Sequence, residues 1–578
     1  MRDRRNTSLS VSSASSSCSN SSSERSSLHE KRYEISASPS ATLPAPVTKE
    51  NWHKSRASRP LLLRLLGAAL LCVLVWWSLV NVVSTSSRLS FNGGSSNNDL
   101  VSAHDPPPHA TALIVSDAWA SNKWTVSTPH NASFPLWPKQ YADICTESQT
   151  LQRKLIAGSR ARTLSGLRRQ PTYYTVDHTF VDIGDAEQRG FLPSTLDAPD
   201  NMCTTSLTFL LDTEDASFGK SLLMLWLSYG LAKKEGRAFF VDDTRWPYGE
   251  YTSFFMPPPD QDCSPPPAHY VVPCPHQAKH LVVSAATAPW TFGPLFEREY
   301  SRQRYPGIEK QQGIFDLIRT GYEDLFYLND ADAGYAATHS MKLRAQAKAH
   351  GGSVVGMHIR RGDLHPREYQ YSRDYLPLER YGNAAKTSFR SLLPSGEHDS
   401  NATGGSGDFN ALIAYMNSPL VLASDDPDII STSEFSSAVS PFKAQKAQER
   451  IQLATKATLD LSSPKKDLRE PGSAYVKHVD ENSGWEGGFF SALFYSIGSL
   501  DKTKDTGDEQ DIPEQALRMR ELVGRAYLLD LAVLGESDAV VCAVSSAACR
   551  LLAVMMGWDA VKEGRWVNVD DHRPWTWT

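Results

Sequence analysis

Gly356-Met357-His358-Ile359-Arg360-Arg361-Gly362-Asp363 closes an apolar, strand-like run that begins at Ser353 and then breaks into a polar loop. Two adjacent arginines at the end of a buried strand are costly unless something anionic meets them. A guanidinium group stays charged and grips phosphate oxygens with paired hydrogen bonds. In open α/β sheets, ligands bind outside the carboxyl ends of the strands. Alternation along a strand puts His358 and Arg360 on one face and Ile359 on the other. The segment therefore reads as a diphosphate grip. The plainer alternative is a surface arginine pair bound to neighbouring carboxylates. Arg361-Gly362-Asp363 also spells an adhesion tripeptide, but three residues recur by chance.

Working outward, helix-like and strand-like runs alternate from Cys203 onward. Residues 217–233 carry apolar side chains at helical spacing, and 237–242 and 280–284 read as strands. Helices are expected at 314–327 and 333–350, strands at 353–359, 419–424 and 539–544, and helices at 513–534 and about 546–556. Such alternation predicts α/β architecture with a mainly parallel sheet. Residues 386–407, 443–473 and 501–514 are polar and read as surface insertions.

Three further places can bear chemistry. Ser545 and Ser546 stand where the strand Val541-Cys542-Ala543-Val544 runs into a helix. A helix N-terminus offers unpaired N–H groups to a phosphate, though ordinary N-capping explains the same residues. Asp425 and Asp426 follow the strand PLVLAS. They suit ligand hydroxyls or an arginine, or simply start a turn. Asp530 lies inside the apolar helical run YLLDLAVL, where a carboxyl needs a partner: a ligand N–H or an arginine. Asp330-Ala331-Asp332 has the acid-x-acid form of metal-dependent glycosyltransferases, a weak three-residue match. Gly219-Lys220-Ser221 ends like a phosphate loop, but Glu214 stands where its first glycine belongs.

The chain has 578 residues and a formal net charge of −6, without the basic excess of a nucleic-acid binder. Residues 1–59 are Ser-rich and read as a disordered cytosolic tail. Residues 60–83 are the only long apolar run and read as a transmembrane signal-anchor; a cleaved signal peptide is the rival, against which the long polar leader and the length of the run argue. Arg and Lys recur before it, whereas Arg88 stands alone between it and Lys123, so the positive-inside rule leaves the body on the luminal side. Six of the eight cysteines fall in that body, an even number suited to disulfides in an oxidising compartment. Asn131 and Asn401 head glycosylation sequons there. Residues 84–137 read as a stem, 138–350 as an N-terminal α/β half, and 351–578 as a nucleotide-binding half.

HIRRGD, then LASDDP, then LLD…ESDAVVCAVSSAACR occur here in the order found in α1,6-fucosyltransferases, the family of the core-fucosylating and nodulation-factor enzymes. Arg245-Trp246-Pro247-Tyr248 resembles the family's Trp-x-Tyr segment, and Val569-Asp570-Asp571 its late segment. The likeness runs in islands from Cys203 to the C-terminus. It implies a GT-B-like pair of Rossmann-type halves holding GDP-fucose. It also implies an inverting transfer to a glycan that needs neither metal nor other cofactor; with the signal-anchor, the expectation is a type II Golgi membrane protein.

By that resemblance His358 and Asp530 contact guanine and Tyr248 lies by the nucleoside. Arg360 holds the β-phosphate, Arg361 and Asp363 shape its loop, and Ser546 donates to the diphosphate with Ser545 beside it in the donor site. Tyr381, Asp425 and Asp426 line the donor pocket. Cys542–Cys549 and Cys203–Cys263 match family disulfides, with Cys145 and Cys274 left open. Glu368 stands eight residues after Arg360, the family's spacing for the catalytic base. The plainer reading of Glu368 is a solvated loop carboxylate beside Arg367. Leu364 stands where the family has a lysine. That departure keeps in view an inactive luminal glycan-binding or scaffold protein, and the arginine motif does not separate transfer to a glycan from transfer to protein or from another GDP-sugar.

Overall fold

The computed structural model describes residues 108–116, 122–129, 132–160, 171–193, 199–212, 218–349, 351–361, 376–392, 416, 418–452, 514–570 and 573–577. The apolar run 60–83, Asn131, Asn401, and the loop with Asp363, Leu364 and Glu368 lie outside these residues. Among the described residues no helix is long and apolar enough to cross a membrane.

The first elements are an antiparallel pair, β1 (Thr111–Ser116) and β2 (Asn122–Ser127), packed on α1 (Pro138–Arg160). This hairpin precedes the expected start of folded chain at Pro138. Its buried Leu113, Val115, Trp124 and Val126 join Tyr141 and Ile144 of α1 in one apolar cluster. The short helix α2 (Ile183–Gln188) follows. Then β3 (Ser206–Leu210), β4 (Ala238–Asp242) and β5 (His280–Val283) form a parallel sheet in the order β4-β3-β5.

Helix α3 (Phe218–Glu235) links β3 to β4 and is buried from Leu222 through Ala232. Helices α4 (Ala288–Thr291), α5 (Pro294–Tyr300), α6 (Gln312–Leu325) and α7 (Asp330–Lys348) complete this half. A Cβ on Gly230 of α3 would fall 2.0 Å from the Leu317 carbonyl oxygen, and one on Gly321 of α6 2.1 Å from that of Trp226. The two helices therefore touch backbone to backbone, which no larger residue at these positions permits.

In the second half, β6 (Val355–Ile359), α8 (Leu378–Leu392), β7 (Pro419–Ser424), α9 (Ser433–Val439), β8 (Lys443–Lys446), α10 (Glu514–Gly535), β9 (Ala539–Cys542), α11 (Ala547–Met556), α12 (Trp558–Lys562) and β10 (Trp566–Asn568) follow in order. The five strands are all parallel, in the order β10-β9-β6-β7-β8. The chain builds outward from β6 to one edge, then returns to build the other. That reversal beside β6 is a topological switch point, where a crevice opens.

Two of the expected insertions are partly folded. Residues 386–392 continue α8, whose Phe389 is fully buried against Phe442. Burial of such a ring contributes about 1.5–3 kcal/mol. Residues 443–446 are the edge strand β8, a Lys-Ala-Gln-Lys run with no fully buried residue. An edge strand keeps one side toward water, so its polar sequence carries no strand signal.

Three disulfides tie the unit: Cys203–Cys263 and Cys542–Cys549, the pairings implied by resemblance, and Cys145–Cys274. The apolar core is continuous across residue 350. Trp226 and Phe315 of the first half share a cluster with Val540 and Leu552 of the second. The chain end returns to the first half, with Trp575 against Phe315 and Trp577 against Phe292. All the described residues lie within the compact unit Ser96–Thr578.

Candidate functional site

Val355, Met357 and Ile359 point into the apolar layer beneath α8 and α9. Gly356, His358 and Arg360 therefore face the other way, toward α10. A Cβ on Gly356 would meet Leu534 of α10 at 3.0 Å and Ser537 at 2.9 Å, so the missing side chain lets the helix settle on the strand. Asp530 lies one turn before Leu534 and so shares its face. The strand-end residues and the helix acid are thereby brought to the same side of the sheet.

Asp530 lines a cavity of about 340 Å³ at the carboxyl end of β7, together with Ser424, Asp426, Lys446, Gln448 and Glu449. Burial pushes its carboxyl well above the usual range, and the Lys446 ammonium pulls the other way. Among the described residues no side chain or backbone N–H is seen to hydrogen-bond it, and the residue is half-buried. A carboxyl so placed has two acceptor oxygens to offer a ligand.

Beside this cavity Asp425 organises the arginines. Both side chains of the Arg360–Asp425 pair are buried, and Arg360 Nη1 donates to Asp425 Oδ2. The other oxygen, Oδ1, accepts the Arg361 backbone N–H at 2.5 Å. One carboxylate thus fixes both the guanidinium and the turn that follows it. The Arg361 guanidinium approaches the exposed Glu434 at 3.4 Å. Asp426 accepts the Asp428 N–H at 3.1 Å and so closes its own turn while lining the cavity.

Tyr381 of α8 is buried under the same loop. Burial raises its hydroxyl pKa first, then the charges of Asp570 and Asp425, while Arg361 lowers it. Asp570 is buried as well, and its Oδ2 accepts the Ser545 N–H at 3.0 Å. Asn568 Oδ1 takes the Val544 N–H at 2.9 Å. The turn after β9 is therefore held by side chains from β10 and the segment after it. Ser546 is the N-cap residue of α11 but makes no side-chain cap bond.

His358, Arg360, Arg361, Tyr381, Asp425, Asp426, Asp530, Ser545 and Ser546 thus all sit at the carboxyl ends of β6, β7 and β9 or on the helices over them. Tyr248 does not line the cavity. It is fully buried in an aromatic cluster, edge-on to Phe218 at 4.7 Å, and Phe218 in turn packs on Tyr527 of α10.

Sequence reasoning missed Lys446, Gln448 and Glu449, because they follow an edge strand read as an insertion. It also gave Asp570 no role of its own, although Val569-Asp570-Asp571 was the signal. Asp330 and Asp332 form the first turn of α7, capped by the Asn329 side chain. Asp332 is gripped by Arg525 at 2.7 and 3.0 Å and by Arg450 at 3.3 Å. Those contacts anchor the segment 447–452, which lines the cavity, to α7.

Fold and site together define a parallel α/β protein with an arginine-bearing crevice at a topological switch point. No family model matches the chain, and no curated protein matches it. Among solved structures it is similar to NodZ α-1,6-fucosyltransferase soaked with GDP-fucose, at 12% identity and TM-score 0.26, over 60% of this chain and 92% of that one. It is also similar to NodZ co-crystallised with GDP (12%, 0.24, covering 60% and 92%) and to fucosyltransferase NodZ from Bradyrhizobium (11%, 0.24, covering 60% and 93%). At these scores the likeness carries no weight for function.

Proposed function

We propose that the chain is a glycosyltransferase that moves fucose from GDP-fucose to a glycan hydroxyl. The observation that carries this reading is Asp530, a half-buried carboxyl that meets no donor among the described residues and faces a cavity shared with Lys446. Guanine presents adjacent N–H donors, which suit a carboxylate, and an oxygen acceptor, which suits an ammonium. The arginine pair stands beside the same cavity at the end of β6, where the diphosphate would lie. Two parallel sheets over one core agree with a GT-B-like arrangement in which the second half holds the donor.

In this reading Asp425 pre-orients Arg360, so the guanidinium meets the leaving diphosphate without reorganisation. Fixed positive charge at a leaving group lowers the barrier because it stabilises charge as it develops. Glu368 takes the proton of the attacking acceptor hydroxyl, and the diphosphate departs from the opposite face of the sugar, inverting the anomeric carbon. The base assignment rests on sequence spacing. The placement of the catalytic body on the luminal side of a single membrane span, in the Golgi, rests on the apolar run 60–83 and its flanking charges.

The test is transfer by the full chain from GDP-fucose to a panel of glycan acceptors, with and without EDTA. Glu368→Gln should keep GDP binding and lose turnover. Full turnover in that variant would remove Glu368 as the base, and loss of activity on chelation would count against a metal-free reaction.

A further inference from the structure

A second cavity, of about 230 Å³, opens at the carboxyl ends of β3 and β4. Its wall is mostly apolar, from Leu136, Leu211, Pro247 and Trp137. Its polar groups are Asp212, Asp242 and Arg245. Arg245 lies over the Trp137 ring, 3.8 Å from its centroid, and that ring is 50% exposed. Arg245 Nε and Nη1 are buried and make no hydrogen bond among the described residues. Asp242 Oδ1 accepts the Thr244 N–H at 3.0 Å.

These groups narrow the ligand. Buried guanidinium N–H groups without acceptors cost free energy until a ligand supplies them. An anion would supply acceptors, but it would also face the carboxyl groups of Asp212 and Asp242 in the same cavity. A simple ammonium ligand would leave the arginine unsatisfied. A pyranose meets every demand: each hydroxyl both donates and accepts, and its C–H face suits the apolar wall. The cavity lies below the range for drug-sized ligands and matches a single ring.

We propose that this cavity is a carbohydrate subsite that docks one ring of the acceptor glycan. Its role as acceptor subsite rests on the transferase reading, whereas its affinity for sugar does not. Position fits the role. Arg520 of α10 donates to the Pro247 carbonyl at 3.3 Å, and Asp530 of the same helix lines the donor cavity. Ten residues of helix separate them, about 15 Å along the axis. A glycan anchored here reaches the donor only if it is longer than a monosaccharide, so the subsite selects oligosaccharides.

The test is saturation-transfer NMR on the full chain with three neutral probes: N-acetylchitotriose, mannotriose and maltotriose. GDP affinity is measured in parallel by calorimetry. At least one probe should give ring-proton signals that fall at least fivefold in Trp137→Ala and in Asp242→Asn. The asparagine still accepts from Thr244, and Trp137 is half exposed, so both variants should fold and bind GDP like the unaltered chain. Absence of signal from all three probes while GDP binds overturns the subsite and leaves the donor reading standing. Signals that survive both variants overturn it too. Sugar signals lost in both variants, in a chain that does not bind GDP, support the subsite and sink the transferase reading instead.

Discussion

Asp530→Asn separates a ligand-binding carboxyl from a structural one, because the two roles predict opposite outcomes. Burial raises the Asp530 pKa well above its ordinary value, and Lys446 offsets this only in part. A carboxyl raised in the folded state binds its proton more tightly there than in the unfolded chain. Stability therefore falls as pH rises above the unfolded value, from about pH 4 upward, until the folded group has ionised. Asparagine has no proton to lose, so the variant should show a flatter slope over that window and no loss of thermal stability near neutrality. Asp426, Glu449 and Lys446 face the same cavity and remain in both proteins, so the difference isolates Asp530.

GDP binding should move the other way. A hydrogen bond to a charged group contributes about 1.5–3 kcal/mol, and guanine offers two donors to the carboxylate. The amide keeps one acceptor and turns an N–H toward the base. We expect a loss of about 3 kcal/mol, roughly 150-fold in Kd. Binding to the ionised form also means that the unaltered chain binds GDP more tightly as pH rises through the Asp530 titration, a dependence absent from the variant. Calorimetry with GDP at several pH values and thermal denaturation read both effects. Unchanged GDP affinity, or an unchanged pH slope of stability, would refute the assignment.

Other outcomes follow from the packing. Asp425→Ala removes the carboxylate that meets the buried Arg360 and the Arg361 N–H. It should lower the unfolding free energy by about 3–5 kcal/mol in urea titration, as loss of one partner of a buried pair does. Asp332→Ala removes the anchor shared by Arg525 and Arg450. It should cost stability on the same scale and weaken GDP binding by loosening residues 447–452, which the same titration and calorimetry would show. The Cys145–Cys274 bridge spans 129 residues and Cys542–Cys549 spans 7. Loop-closure entropy assigns about 5 kcal/mol to the first and about 2.5 kcal/mol to the second. Paired Cys→Ser variants should therefore rank in that order in denaturant midpoints.

Much of the second half was legible as sequence because its strands are buried. PLVLAS and AVVC are apolar runs, and both appear as strands at Pro419–Ser424 and Ala539–Cys542. The second ends sooner than its apolar sequence does, because Asn568 takes the Val544 N–H and turns the chain. The edge strand β8 was illegible for the opposite reason: water on one side removes the selection for apolar residues. The hairpin β1–β2 sits in a Ser-, Asn- and Pro-rich stretch, and its apolar face has meaning only once α1 covers it.

What the sequence determined by itself is the local chemistry: the arginine pair at the end of a strand, the acids after the next strand, and the carboxyl on an apolar helix. Such features depend on residue type and spacing, and these are written in the chain. The tertiary structure decided which of them meet. Gly356 admits α10 against β6 and sets Asp530 over the strand ends. Asp425 reaches back across 65 residues to hold Arg360. Tyr248, singled out by its motif, is drawn instead into a core of aromatic rings. The reason is physical: pairing across a sheet and packing of a helix on it depend on groups far apart in the chain. Their partners are chosen by the fit of whole surfaces.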